Sequence, residues 1–175
     1  MKTTNALLAL ASLAVTTSGC AHRQWAQALE GERSIEVRPG DGVGNLTLGM
    51  GQGRVKRRLG EPGAIDRFGE GETYWTYPQL GVSVKFVSDK LDSVFCYSGI
   101  KGGYETRTYQ PFTGATTEGV GVHANQRQVL EAYGRPATRE KDPRAPIPAT
   151  WLTYTQGLGF CFVASTDQMI YLYVD

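Results

Sequence analysis

The feature that most limits what this chain can fold into is an internal repeat, because a duplicated stretch must find the same local structure twice. Leu46-Thr47-Leu48-Gly49-Met50-Gly51-Gln52-Gly53-Arg54-Val55 aligns with Val120-Gly121-Val122-His123-Ala124-Asn125-Gln126-Arg127-Gln128-Val129. Leu59-Gly60-Glu61-Pro62 aligns with Tyr133-Gly134-Arg135-Pro136, and the offset is 74 throughout. Further on, Trp75, Gly81, Phe86, Val87 and Tyr97 match Trp151, Gly157, Phe162, Val163 and Tyr173 at an offset of 76. Two extra residues are therefore expected between Asp142 and Pro148. The order and spacing predict a duplicated unit of roughly 70 residues.

Each unit has the same local grammar. Gly51 and Asn125 are suitable helix N-caps. Val55 with Leu59, and Val129 with Tyr133, share a face at i, i+4. Gly60 and Gly134 end these helices, and Pro62 and Pro136 bar their continuation. Alternating strands follow, around Ala64–Phe68, Thr73–Tyr77, Gly81–Val87 and Ser93–Tyr97, and again around Ala137–Lys141, Thr150–Tyr154, Gly157–Val163 and Met169–Val174. Their short Gly-, Pro- and Asp-bounded loops favour antiparallel hairpins. The expected fold class is α+β: two tandem repeats, each one short helix plus about four antiparallel strands, with the helices on one face of the sheet.

The order Leu-Gly-Met, Val, Leu-Gly-x-Pro, Trp-x-Tyr and Gly-x-x-x-x-Phe resembles the repeat shared by the β-lactamase inhibitor protein and the outer-membrane lipoproteins of the SmpA/OmlA/BamE type. It spans about residues 44 to 99 and, more loosely, 118 to 175. The two tandem copies resemble the inhibitor, whose paired units form a long curved sheet. The inhibitor's units each carry a disulfide, and neither unit here has a pair of cysteines, so the resemblance does not bring the inhibitory activity with it.

A leader, Leu7 to Val15 followed by Thr17-Ser18-Gly19-Cys20, reads as a secretory signal with Lys2 before an apolar run too short to span a bilayer. It resembles a bacterial lipoprotein signal cut between Gly19 and Cys20, and that resemblance implies acyl chains, palmitate among them, on Cys20. Ala21 after the cysteine resembles the pattern that sorts lipoproteins to the outer membrane. The expected order is signal peptide 1–19, tether 20–33, first repeat 34–103 and second repeat 104–175, joined through about Gly99–Thr108. Removing 1–19 takes away only Lys2 of the 18 basic residues and leaves acids and bases equal in number, a balance that does not ask for nucleic acid.

Period-2 alternation separates the two faces of the sheet. Val82, Val84 and Phe86, with Leu158, Phe160 and Phe162, should meet the helices, and so should Val94, Cys96, Ile170 and Leu172. Ser83, Lys85, Gly159 and Cys161 should face the other way, as should Phe95, Tyr97, Tyr171 and Tyr173. An uncovered sheet face with aromatic rows around Lys85 suits protein recognition, and equally suits cross-strand pairs that stabilise the sheet. Cys96 and Cys161, on opposite faces, have poor geometry for a disulfide, although an oxidising envelope permits one.

With His22 and His123 isolated, the common zinc, thiol and serine-hydrolase arrangements are missing, and neither metal nor cofactor is expected. Gly49–Gly53 lacks the Gly-Lys-Ser/Thr ending of a phosphate loop and reads as a turn. Glu70 with Glu72, and Asp89 with Asp92, read as solvated turn residues. Arg54, Lys56, Arg57 and Arg58 complement the helix C-terminus or meet anionic headgroups. The expectation is a non-enzymatic, lipid-anchored envelope module facing the periplasm, without a small-molecule substrate, that binds another envelope protein through Lys85, Phe95, Tyr97, Tyr171 and Tyr173. The alternative is an inhibitor of an extracytoplasmic hydrolase, working through loops at the sheet edge.

Overall fold

The helix stops and strand alternations become real elements in the computed structural model, which describes residues 35–175 apart from Glu70. The signal, Cys20 and the tether lie outside the described residues. Three short strands open the described residues: β1 (Glu36–Arg38), β2 (Gly42–Val43) and β3 (Leu46–Thr47). Then come α1 (Gln52–Leu59), β4 (Ala64–Phe68), β5 (Glu72–Tyr77), a 3₁₀ turn (Pro78–Leu80), β6 (Val82–Val87) and β7 (Lys90–Tyr97). After a long crossing follow β8 (Ala115–Thr116), α2 (Gln126–Tyr133), β9 (Thr138–Asp142), β10 (Ala149–Tyr154), β11 (Leu158–Val163) and β12 (Met169–Val174).

An eight-stranded antiparallel sheet runs β4-β5-β6-β7-β12-β11-β10-β9. Consecutive hairpins build each outer run of four, and the two runs meet where β7 pairs with β12, Tyr97 opposite Tyr171 and Phe95 opposite Tyr173. A second, four-stranded sheet runs β3-β2-β1-β8, with β1 and β8 parallel. Its two- and three-residue strands are too short to show a period, and the sequence gives no sign of them.

Both helices lie where their signals put them. Gly60 caps α1 at φ 82°, its N–H donating to Lys56 O at 2.9 Å. Gly134 does the same for α2 at φ 71°, donating to Leu130 O. Val55, Leu59 and Val129 are buried and share one core with Val84, Phe86, Val94, Phe160, Phe162 and Leu172 of the large sheet. Val37, Val43 and Leu46 of the small sheet join the same core. Helices and small sheet thus cover one face of the large sheet, and each large apolar side chain buried there contributes about 1.5–3 kcal/mol.

Three expected alignments give way to the observed registers. Trp75 faces Val84 in the helix-side core, whereas the residue facing Phe160, the pairing-equivalent of Val84, is Leu152. Trp151 lies on the opposite face, packed against Ala149, Cys161, Val163 and Ile170. The cause is turn length: Pro78–Gly81 joins β5 to β6 with four residues, and Gln156 stands mid-way in a connection of three, so matching by residue type slips by one and flips a face. The last strand slips by two, since Ser83 faces Phe95 while Gly159 faces Tyr173, and Phe95 rather than Tyr97 corresponds to Tyr173.

The third correction is a β-bulge. The β11–β12 register jumps between Cys161 and Phe162, whose partners are Tyr171 and Met169, leaving Ile170 unpaired. Ile170 turns to the far face, and Met169 takes its expected place in the helix-side core. Asp92 is skipped in the same way between Lys85 and Phe86. Cys96 and Cys161 are both buried as free thiols, one in each core cluster on opposite faces of the sheet.

Candidate docking face and strapped cleft

The face of the large sheet away from the helices carries the alternate positions of each strand. On β4 and β5 these are Asp66, Phe68, Glu72, Tyr74 and Thr76, set by the pairs Asp66–Tyr74 and Phe68–Glu72. On β6 and β7 they are Ser83, Lys85, Ser93, Phe95 and Tyr97. On β12, β11 and β10 they are Tyr171, Tyr173, Cys161, Gly159, Trp151 and Thr153. All five expected binding residues therefore do lie on one face.

That face is not uncovered, however. Residues 99–112 cross it as a strap. Gly103 exchanges backbone hydrogen bonds with Ile147, and the Tyr104 hydroxyl donates to Asp142 Oδ2 at 2.7 Å. On the other side the Arg107 guanidinium reaches Asp66 at 2.7 Å. Gln110 N donates to Pro78 O and Phe112 N to Tyr97 O, each at 2.8 Å. Gly102 sits so close to Ile170 and Val163 that a Cβ there would overlap the isoleucine side chain.

The strap removes Tyr97 from the set of exposed residues. Its ring stacks on Tyr109 with centroids 3.8 Å apart and planes 7° from parallel, leaving Tyr97 6 % exposed. Its hydroxyl lies 3.0 Å from Ser83 Oγ. Burial pushes both phenols up, Tyr109 to about 12. Tyr97 is thus a structural anchor for the strap, which corrects its expected role as a contact residue.

Beyond the strap the rings touch in sequence across the strands, half-buried apart from exposed Phe68. Phe68 meets Tyr74 edge to face at 5.3 Å, and Tyr74 lies 6.3 Å from Phe95. Phe95 in turn meets Tyr171 at 5.6 Å and Tyr173 at 5.7 Å. Gly159 leaves space for the Tyr173 ring, which a Cβ at that position would strike. Hydrogen bonds fix the outer rings: Trp151 Nε1 donates to the Tyr171 hydroxyl, and the hydroxyls of Tyr173 and Thr153 share a bond, each at 3.1 Å. Lys85 lies 3.3 Å from Asp92 and 3.6 Å from Glu72. Burial disfavours its charge, but the hydrogen bond to Asp92 and the surrounding negative groups outweigh that and raise its pKa.

Between strap and sheet lies a cleft of about 500 Å³, lined by Phe68, Tyr74, Phe95, Tyr171, Trp151 and, from the strap, Glu105 and Arg107 among others. Phe68, Tyr74 and Trp151 were not among the residues expected there. The alternation of Asp66, Phe68, Glu72 and Tyr74 could have shown the first two. Trp151 was hidden by its false match to Trp75, and the strap has no periodicity to read.

The thiols offer no reactive nucleophile: burial pushes Cys161 up to about 12 and raises Cys96 as well. Among the described residues no three His, Cys, Asp or Glu side chains are grouped to hold a metal ion. No described helix is long and apolar enough to cross a membrane.

No family model matches the chain, and no curated protein matches it. Among solved structures, a DUF4309 family protein from Bacillus subtilis subsp. subtilis str. 168 is 14 % identical over 89 % of this chain and 94 % of its own, with a TM-score of 0.47. An extracellular protein containing an SCP domain, from Bacillus anthracis str. Ames, is 13 % identical over 83 % of this chain, with a TM-score of 0.45. The chain spans about half the length of that protein, 49 %. At these values neither lends its role to this chain.

Proposed function

We propose that this chain is a non-catalytic, lipid-anchored envelope lipoprotein whose strapped sheet face docks another envelope protein, as a scaffold or assembly module. One observation carries the reading: half-buried Tyr74, Phe95 and Tyr173, with Phe68 exposed at the end, form a continuous row of rings that neither described helix nor the small sheet covers. Aromatic side chains concentrate binding energy at protein interfaces, and rings already locked by their neighbours lose little freedom when a partner arrives. The leader ending at Cys20 supports anchoring, and Ala21 supports the outer membrane facing the periplasm.

We also read the fold as two tandem units, residues 34–103 and 104–175, akin to the paired units of the β-lactamase inhibitor and SmpA/OmlA/BamE type. Each half has a helix followed by four strands. Tyr77 and Tyr154 donate to the carbonyls of the helix-ending Gly60 and Gly134, at 3.4 and 3.1 Å. Asp92 and Ile170 occupy matching bulges.

The test is a crosslinking pull-down from the native envelope with the wild-type chain, Cys20→Ala and Phe95→Leu, the last keeping an apolar side chain on the face. A membrane protein captured by the wild type and lost from both variants is the expected result. Capture that ignores Phe95→Leu, or returns only lipid and abundant porins, overturns it. A soluble hydrolase retained by Cys20→Ala would favour the inhibitor alternative.

A further inference from the structure

The cleft under the strap has a chemistry more specific than the aromatic row beside it, and we infer that it receives an arginine or lysine side chain of the docked protein. This deepens the docking proposal and rests on it. Three carboxylates, Asp66, Glu72 and Glu105, line the cleft against one cation, Arg107. Lys85, the next cation on this face, is held by Glu72 and Asp92. Phe68, Tyr74, Phe95, Trp151 and Tyr171 line the same cleft, and aromatic rings, whose faces carry negative potential, also favour a cation.

Arg107 supplies the decisive detail. It belongs to the strap, and its guanidinium lies 2.7 Å from Asp66, so the cleft already holds an arginine head of its own. The pair is partly open to water, with side-chain exposures of 39 % and 31 %, and an ion pair so placed is weak enough to exchange for another cation. Glu105 is fixed in the strap by accepting from the Arg107 backbone N–H at 2.7 Å and from the Tyr109 hydroxyl at 3.5 Å. With Asp66 paired to Arg107 and Glu72 to Lys85, an anionic guest would compete with both pairs and meet Glu105, which forms no ion pair among the described residues, and a neutral apolar guest would strip water from these groups without replacement. A cation matches both the carboxylates and the rings.

The probe is the peptide acetyl-Gly-Arg-Gly-Arg-Gly-amide, titrated against the full chain carrying Trp25→Phe and read by tryptophan emission, since of the two tryptophans left Trp151 lines the cleft while Trp75 is buried on the other face. The same peptide with citrulline for arginine keeps size and planarity but loses the charge and exchanges one donating nitrogen for a carbonyl acceptor. The expected result is saturable binding of the arginine peptide, at least about tenfold tighter than citrulline. Arg107→Ala, by vacating the cleft, should tighten binding about threefold or more, and Asp66→Asn should weaken it to the citrulline level.

Equal affinity for the two peptides overturns the inference, as does looser binding in Arg107→Ala. A response to chitotetraose with none to the arginine peptide overturns it as well and assigns the cleft to sugar. If the peptide pattern holds while envelope capture fails, the cation cleft stands and the docking proposal falls. If capture holds while citrulline binds as well as arginine, the docking face stands and the cation inference falls.

Discussion

At Tyr97 a ring stack, a buried hydroxyl pair and a backbone hydrogen bond from Phe112 come together under the strap. Tyr97→Ala should therefore cost about 3–5 kcal/mol, the range for emptying a large aromatic site, whereas Ser83→Ala should cost about 1–2 kcal/mol by removing one buried partner. Urea unfolding of the two variants checks both. The alternation of β7 correctly places Tyr97 on the far face, but no local pattern shows that Tyr109 returns to cover it. Trp75 and Trp151 carry the opposite lesson. Their identity suggested equivalence, yet a turn shorter by one residue sends their rings to opposite sides of the sheet.

At the level of elements, the helices were the most legible parts, because caps and stops act within a few residues. Asn125 forms a reciprocal capping box with Gln128, each bond 3.0 Å, while Gly51 caps α1 with no side chain at all. Asn125→Ala should lower stability by about 1 kcal/mol, and Gly51→Ser should raise it by about 0.5 kcal/mol, measured as shifts in urea midpoint. Space at Gly51 permits the change, since a Cβ there meets only Asp89 O at 3.9 Å.

The matching bulges were not legible, because strand alternation gives no warning of an inserted residue. They also differ in content. Ile170 is fully buried, and Asp92 is partly exposed beside Lys85. Ile170→Asp should destabilise by more than about 3 kcal/mol by burying an unpaired charge, while Asp92→Ala should cost less than about 1 kcal/mol. The contrast, read by chemical unfolding, tests whether the two bulges hold one buried and one open side chain.

For the whole molecule, the chain's nine tyrosines supply a pH signature. Burial is the leading cause that raises the phenols of Tyr77, Tyr97, Tyr109 and Tyr171 above the ordinary value of 10.0. The folded chain thus keeps protons that the unfolded chain gives up near pH 10. The associated stability is complete below that pH and is lost as pH rises through the native values. Urea midpoints should change little from these groups between pH 7 and about 9, then fall steeply above about 10. Phenolate absorbance should grow with unfolding rather than before it. This behaviour follows from cores on both sides of the sheet, of which only the helix-side one was readable as alternating apolar positions. The second depends on a strap with no period, and the small sheet on strands too short to have one.

The β7–β12 ladder also has a consequence for how the molecule can be divided. Each run of four strands is built from local hairpins and ends in an edge that pairs with the other run, so the ladder itself aligns them. A backbone cut at exposed Arg107–Thr108 leaves that ladder intact, together with the β1–β8 pairing and the core shared by both helices. The two pieces, made as separate polypeptides, should recognise each other through complementary strand edges and rebuild the sheet, while either piece alone carries a bare edge that invites a second copy of itself. The same cut point offers new chain ends for circular permutation, and the pair of fragments is a ready split reporter.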